Sequence, residues 1–196
     1  MILAYCKHCG EVWFAVALEG EWVVATSLSQ TREDALKTLL SHTPAGRPVQ
    51  VQRELSPLSR RLLEALNAIF HGEEAPLDFK LSMNHLSAYA RKVLACTSSI
   101  PAGYVSTYGD VARVVGGSAR SVGRVLALNP LPLLVPCHRV VGMRRGTLRL
   151  GGYSLGAEVK RKLLLREDRG YVKPRKIRFE GRGLRLYPIS LLKGRI

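Results

Sequence analysis

The chain has 196 residues, 46% of them hydrophobic, and sets 30 Lys and Arg against 15 Asp and Glu for a net charge of +15. That length and composition describe one large domain or two small ones around a real apolar core, and exclude a disordered, collagenous or disulfide-scaffold chain. No stretch approaches the ~20 apolar residues that span a bilayer, and the N-terminus lacks a basic and apolar leader pattern, so the expectation is a cytoplasmic protein without a membrane attachment.

The distribution of charge says more than its total. Residues 1–80 hold 8 basic and 10 acidic side chains, whereas 81–196 hold 22 basic and 5 acidic. A charge confined to one half of a chain suits a polyanion, nucleic acid being the commonest and an anionic membrane surface the competitor. Asn and Gln occur three times each, and with charges mostly from Arg and Glu the composition leans toward a thermophile.

In chain order, 12–18 and 22–27 are rich in β-branched and aromatic residues and are predicted strands, with Glu19-Gly20-Glu21 as the hairpin turn between them. Thr31 opens a helix that ends before Pro44, with Glu33 and Asp34 in its first turn and Ala35, Leu36, Leu39 and Leu40 on one face. A short extended piece, 48–52, follows. Ser56 and Pro57 then start a second helix with Leu58, Leu62, Leu63, Leu66, Ile69 and Phe70 in its apolar stripe, stopped by His71-Gly72. The expectation is a small α/β structural domain over 1–75, with antiparallel strands and helices, and a linker over 76–83.

The second domain is expected over 84–168. Its first helix is predicted over 84–96 and ends in the turn Ile100-Pro101-Ala102-Gly103. Thr107 caps a second helix with Asp110 at the capping-box position, Gly116-Gly117 breaks it, and Ser118 caps a third over 119–128. Two short helices joined by a glycine turn read as a helix-turn-helix, whose second helix exposes Arg120 and Arg124. The whole is expected to be α+β, with a winged-helix-like second domain.

Residues 131–142 read LPLLVPCHRVVG. A buried cysteine usually packs as a small hydrophobe, but Cys137 is followed by His138 and Arg139, an electropositive setting in which a thiolate is accessible at neutral pH. In an extended segment adjacent side chains point to opposite sides, so His138 needs a bridging water or a local turn to act on Cys137. A carboxylate to orient the histidine has to come from Asp110, Glu158, Glu167, Asp168 or Glu180. Glu167 ends a helix expected over 157–167.

The run Pro136-Cys137-His138-Arg139-Val140, preceded by Asn129-Pro130, closely resembles the active-site signature of the O6-alkylguanine-DNA alkyltransferases, the methylated-DNA–protein-cysteine methyltransferases. Ile100-Pro101 through Tyr108-Gly109 resembles the segment before that family's helix-turn-helix. Ala119-Arg120 resembles its recognition helix, and Gly152-Tyr153-Ser154 with Lys160 and Leu163-Leu164 its loop and helix after the cysteine. Roughly 84–168 are covered, in order. A related group that binds lesions without repairing them lacks the cysteine, and Cys137 argues against membership there.

The resemblance implies a suicide repair reaction in which Cys137 takes the alkyl group from O6 of a damaged guanine in double-stranded DNA, once per molecule; no cofactor is expected, and no metal, because the zinc ligands that some relatives carry in the N-terminal domain find no clear match here. It implies a water between Cys137 and His138, Glu167 as the orienter of that histidine, Asn129 as a hinge residue, and Tyr108 as the residue that helps turn the nucleotide out and donates a proton. Because the target carbon is unreachable in a stacked duplex, the base must be flipped. Pro136, Val140, Tyr153 and Ser154 would line the base site, the carbonyls of Cys137 and Val140 accepting from its exocyclic amine. Arg120 would fill the vacated stack, with Ser118, Ala119 and Arg124 as further DNA contacts, and the protein would act as a monomer. Taken singly, Tyr108 also reads as a core aromatic, Arg120 as a phosphate contact, Asn129 as a turn residue and Glu167 as a solvated partner of its own helix.

Two features stay open. Cys6 and Cys9 with His8 between them fit a local disulfide or two free thiols, while a zinc site would need about four ligands and no second such pair exists; Cys96 is expected to be packed. Residues 169–196, with nine basic side chains and one acidic, form a basic C-terminal extension, read either as a strand pair adding phosphate contacts or as a stabilising element. A DNA-binding regulator would have no use for PCHRV, and a cysteine hydrolase none for the charge.

Overall fold

The computed structural model describes residues 1–192. They fall into two compact units, Met1–Leu86 with Pro130–Leu134, and Ser87–Asn129 with the chain from Val135 onward. Residues 130–134, inside the span expected for the second domain, thus count with the first.

The first unit is a five-stranded sheet with helices. β1 (Ile2–Cys9), β2 (Val12–Glu19) and β3 (Trp22–Ser29) form an antiparallel meander. α1 (Arg32–His42) follows, then β4 (Val49–Val51), α2 (Pro57–Phe70) and β5 (Lys80–Leu81). The order is β4-β1-β2-β3-β5, with β4 parallel to β1 and β5 parallel to β3.

Both hairpin turns place a glycine at positive φ, Gly10 at 61° and Gly20 at 58°, a conformation that side chains bearing a Cβ rarely take. β2 is buried on both faces because its side chains alternate. Ala15 and Ala17 join Ala35 and Leu39 of α1, while Phe14 meets Phe70 of α2 edge-on at 5.7 Å. Each helix starts at the expected cap, Thr31 accepting from the Asp34 N–H and Ser56 from the Ser59 N–H.

Three expectations need correction here. β1 was not anticipated: its apolar start runs into Lys7-His8-Cys9, which hides the strand alternation. Leu40, expected on the apolar face of α1, is 44% exposed, and the burial falls on Ala35 and Leu39. The expected linker contributes β5, whose neighbour Ser82 donates its N–H to Val23 O.

The second unit begins with α3 (Ala88–Ser98), then β6 (Tyr104–Thr107), α4 (Tyr108–Val115) and α5 (Ala119–Ala127). A 3-10 turn (Cys137–Arg139) leads into β7 (Val140–Arg144) and β8 (Thr147–Arg149), followed by α6 (Ala157–Arg166), β9 (Arg175–Phe179) and β10 (Arg182–Pro188). The second sheet runs β8-β7-β6-β10-β9. α3 starts four residues later than expected because Ser87 supplies the cap, accepting from the Ala90 N–H.

α4 and α5 form the helix-turn-helix. Thr107 caps α4 through the Asp110 N–H, Gly116 and Gly117 turn the chain at φ 93° and 81°, and Ser118 and Ser121 close a reciprocal capping box on α5. The fold is therefore α+β, as expected, with an N-terminal sheet unit and a C-terminal helix-turn-helix unit. No helix among the described residues is long and apolar enough to cross a membrane.

In the first unit, Thr26, 1% exposed, holds the 130–134 segment by its N–H to Pro130 O and its Oγ1 to Pro132 O, both 2.8 Å. Thr26→Val keeps the shape but strands the buried Pro132 carbonyl. It should destabilise the unit by about 1–3 kcal/mol, measured by urea titration with hydrogen exchange of the β3 amides.

Candidate active site

The segment around Cys137 is short, apolar and punctuated by prolines, and it folds as a 3-10 turn rather than as the extended run expected from its sequence. The Cys137 N–H bonds Val135 O, the Arg139 N–H bonds Pro136 O and the Val140 N–H bonds Cys137 O. This turn removes the alternation of an extended strand, so His138 and Arg139 both reach one carboxylate. His138 Nε2 lies 2.9 Å from Glu167 Oε1. Arg139 grips the same group with two bonds, Nε to Oε2 at 2.9 Å and Nη2 to Oε1 at 2.8 Å, and adds Nη1 to Ile100 O at 2.6 Å.

Of the five acids that the sequence offered, Glu167 is the one brought to the histidine. Burial alone would raise its carboxyl, but His138 and Arg139 hold it down from 4.5 to about 2. Burial in turn lowers His138, against the pull of Glu167. The stable arrangement is a carboxylate facing a neutral imidazole that donates from Nε2, which leaves Nδ1 as the lone-pair nitrogen. His138 Nδ1 is buried and has no hydrogen-bond partner among the described residues.

Cys137 is 3% exposed. Burial raises its thiol, opposed by the Asn129 amide, Tyr153 and the Lys160 ammonium. The electropositive setting expected from the sequence is therefore narrower than the neighbouring basic residues implied, because Arg139 is committed to Glu167. Asn129, itself 2% exposed, donates Nδ2 to Cys137 Sγ at 3.1 Å and to Val135 O at 3.0 Å, bracing the turn. The Tyr153 hydroxyl lies 4.0 Å from Sγ.

Cys137 lies in the wall of a cavity of about 490 Å³, shared with Tyr108, Leu126, Gly152, Tyr153 and Ser154. α5 contributes Ala119, Gly123 and Ala127 to it, a stripe of small residues at four-residue spacing on one helix face. Pro136 and Val140 are buried just behind and do not line it. Tyr108 donates to Gly152 O at 3.2 Å, and burial with the nearby Cys137 raises its phenol, keeping it protonated. Ser118, Arg120 and Arg124 lie exposed along α5, and neither arginine forms an ion pair among the described residues.

Sequence reasoning missed two participants. Arg139 was read as a neighbour that lowers the thiol, whereas it completes the Glu167 cluster. Lys160 was only a matched motif position, yet it is fully buried, with Nζ bonding Val140 O at 2.7 Å and Gly152 O at 3.2 Å. Its ammonium sits 5.7 Å from the Tyr108 ring centroid and 5.9 Å from that of Tyr153. Burial lowers it to about 8. A lysine one turn before Leu163-Leu164, on the apolar stripe of its helix, is the signal that would have found it. Among the described residues no group of three His, Cys, Asp or Glu is placed to hold a metal, and Cys6, Cys9, Cys96 and Cys137 are all free thiols.

Residues 88–169 match the family model of the 6-O-methylguanine DNA methyltransferase DNA-binding domain. The chain is 31% identical over 163 residues to a methylated-DNA–protein-cysteine methyltransferase of Archaeoglobus fulgidus, covering 79% of this chain and 92% of that one. It is 40% identical over 106 residues to one of Methanothermobacter thermautotrophicus, spanning 54% of this chain and 58% of that relative's length. Its fold is similar to the crystal structure of O6-methylguanine-DNA methyltransferase from the hyperthermophilic archaeon Pyrococcus kodakaraensis KOD1, with a TM-score of 0.66 and 29% identity over 85% of this chain and 99% of that one. The chain belongs to the methylated-DNA–protein-cysteine methyltransferase family.

The cluster predicts an acid signature. Glu167 stays ionised in the folded unit down to about pH 2 but takes a proton near 4.5 when unfolded, so its stabilisation is complete above about 4.5 and is lost as the pH falls toward 2. Unfolding followed against pH should show a steep loss of stability over that window in the wild type and a shallower one in Glu167→Gln. Lys160→Met, which removes the ammonium that lowers the thiol, should slow iodoacetamide capture at Cys137 several-fold at pH 7.5 and move its pH profile upward.

Proposed function

We propose that this chain is a stoichiometric DNA-repair protein that takes the alkyl group from O6 of a damaged guanine onto Cys137 Sγ. The observation that carries this reading is the convergence of Asn129, the His138–Glu167 pair and Tyr108 around one buried thiol, in the wall of a cavity that α5 of the helix-turn-helix also lines.

The reaction is a displacement at an sp³ carbon. His138 Nδ1 takes the thiol proton through a water, and Glu167 stabilises the imidazolium that results. Sγ bonds to the alkyl carbon as the carbon–O6 bond breaks with its electron pair on the guanine. The Tyr108 hydroxyl supplies a proton to the leaving base, and the proton held on His138 returns to solvent, which reprotonates Tyr108. The products are an unmodified guanine and a thioether, with nothing to regenerate the thiol, so each molecule acts once.

Binding follows from the same surface. Flipping the base costs about a few kcal/mol; in this reading Arg120, exposed on α5, fills the gap, with Ser118, Ala119 and Arg124 flanking it. Tyr153 and Ser154 close over the flipped base beside Cys137. Pro136 shapes the floor behind the thiol, and the carbonyls of Cys137 and Val140 accept from the guanine amine. Both carbonyls already accept one bond, from the Val140 N–H and from Lys160 Nζ, and each keeps a second lone pair for the base. The protein acts as a monomer in the cytoplasm, on double-stranded DNA.

Intact-protein mass after incubation with a duplex holding one O6-methylguanine tests the reading. The expected outcome is a gain of one methyl on Cys137, saturating at one per molecule and absent in Cys137→Ser. Lesion DNA bound without an adduct would instead make the chain a recognition or regulatory protein, and turnover independent of DNA would make it a hydrolase. Arg120→Ala should slow repair of the duplex by tenfold or more while leaving transfer from the free alkylated base near the wild-type rate.

A further inference from the structure

The strand pair β9–β10 lies beyond residues 88–169, the span matched by the family model, and the reaction proposed above does not use it. It is nonetheless built firmly into the second sheet. β10 pairs antiparallel with β6, Ser106 Oγ donates to Arg185 O at 2.7 Å, Tyr187 OH donates to Asp110 Oδ2 at 3.2 Å, and Arg182 Nη1 donates to Val114 O at 3.2 Å. Lys92 pairs with Glu180 at the tip at 2.8 Å.

The two faces of the pair are different. Register sets Ile177 opposite Leu184 and Arg175 opposite Leu186; Leu184 and Leu186 are fully buried, and the Arg175 guanidinium stacks on Tyr104 at 4.4 Å. The other face carries Lys176 opposite Arg185 and Arg178 opposite Gly183. All three cations are exposed, and none forms an ion pair among the described residues. Like charges directly opposite across a strand pair repel, so this face is arranged against the stability of the isolated fold. Arg175 and Arg182 serve the structure, while Lys176, Arg178 and Arg185 are left without a carboxylate partner, Arg185 bonding the Tyr187 side chain.

That face adjoins the site. Arg185 and Tyr187 line a second cavity, of about 410 Å³, with Arg113, Met143, Tyr108 and Ala119, and the last two also line the cavity that holds Cys137. We infer that the β9–β10 pair is an added wing, whose Lys176, Arg178 and Arg185 hold the phosphate backbone of the duplex beside the helix-turn-helix. This rests on the DNA-repair reading and names a DNA contact outside the matched family span. Phosphates are the ligand that three exposed cations without a carboxylate partner on a rigid strand pair recognise, Arg185 also being steadied by a side-chain hydrogen bond with Tyr187, without regard to base sequence.

The test is binding of the full chain to unmodified duplex DNA across a salt series, read by fluorescence anisotropy. Each cation that neutralises a phosphate contributes about 0.9 to the slope of log affinity against log salt. The K176Q/R178Q/R185Q triple should therefore lower the magnitude of that slope by about 2 to 3, each single variant by about 1, and the triple should bind at least tenfold more weakly at 0.1 M salt. K37Q/R53Q/R60Q, which removes the same charge from exposed positions of the first unit, should leave the slope unchanged. Because the wing residues are exposed and Lys176 repels Arg185 across the pair, the triple should melt at or slightly above the wild-type temperature and still take a methyl from free O6-methylguanine. An unchanged slope in the wing triple, or an equal fall in the control triple, would overturn the inference. Failure of the repair reading is a separate result: no adduct on the wild-type protein from either substrate.

Discussion

A single buried carboxylate organises this active site. Glu167, 2% exposed at the C-cap of α6, accepts from His138 and twice from Arg139. An unpaired carboxylate at that depth would be neutralised or expelled, so the group is tolerable only because an arginine fork compensates it. Removing one partner of such a cluster costs about 3–5 kcal/mol. The consequence is geometric: both residues after the nucleophile are tied to one point, and a turn that would otherwise be a proline-bounded apolar loop is fixed with Nδ1 of the histidine unengaged.

Burial and reactivity oppose each other at Cys137. A thiol that shares a wall with apolar side chains is pushed up in pKa, and the protein answers with three modest pulls in place of one strong cation. Asn129 donates to the sulfur, Tyr153 stands at 4.0 Å, and Lys160 supplies a cation from the far side while anchoring the carbonyls of Val140 and Gly152. Lys160 is itself weakened by burial, to about 8. A thiol held this way stays largely protonated near neutral pH.

Much of the architecture was legible because caps and periodicity are local. Thr31, Ser56, Thr107 and Ser118 start their helices where a hydroxyl followed by an amphipathic run says they should. The PCHRV run and its neighbours identified the family. What was not legible depends on the third dimension. β1 is recognisable only through its pairing with β2, because Lys7-His8-Cys9 break the apolar alternation. The turn at Cys137 depends on hydrogen bonds among consecutive backbone groups that the apolar composition does not signal. The bond between Arg139 and Glu167 joins residues 28 apart in sequence, and the alternation of faces in the C-terminal strand pair depends on its register.

The central claim is that Glu167 fixes His138 as a neutral imidazole, protonated on Nε2 and with Nδ1 free to take the thiol proton. Nitrogen-15 NMR of the histidine-labelled protein tests this directly. The account predicts that His138 shows the Nε2–H tautomer at pH 7, is still mostly neutral at the ordinary histidine pKa of about 6.5, and loses that tautomer preference in Glu167→Gln. An imidazolium at pH 7, or a proton on Nδ1, would contradict it.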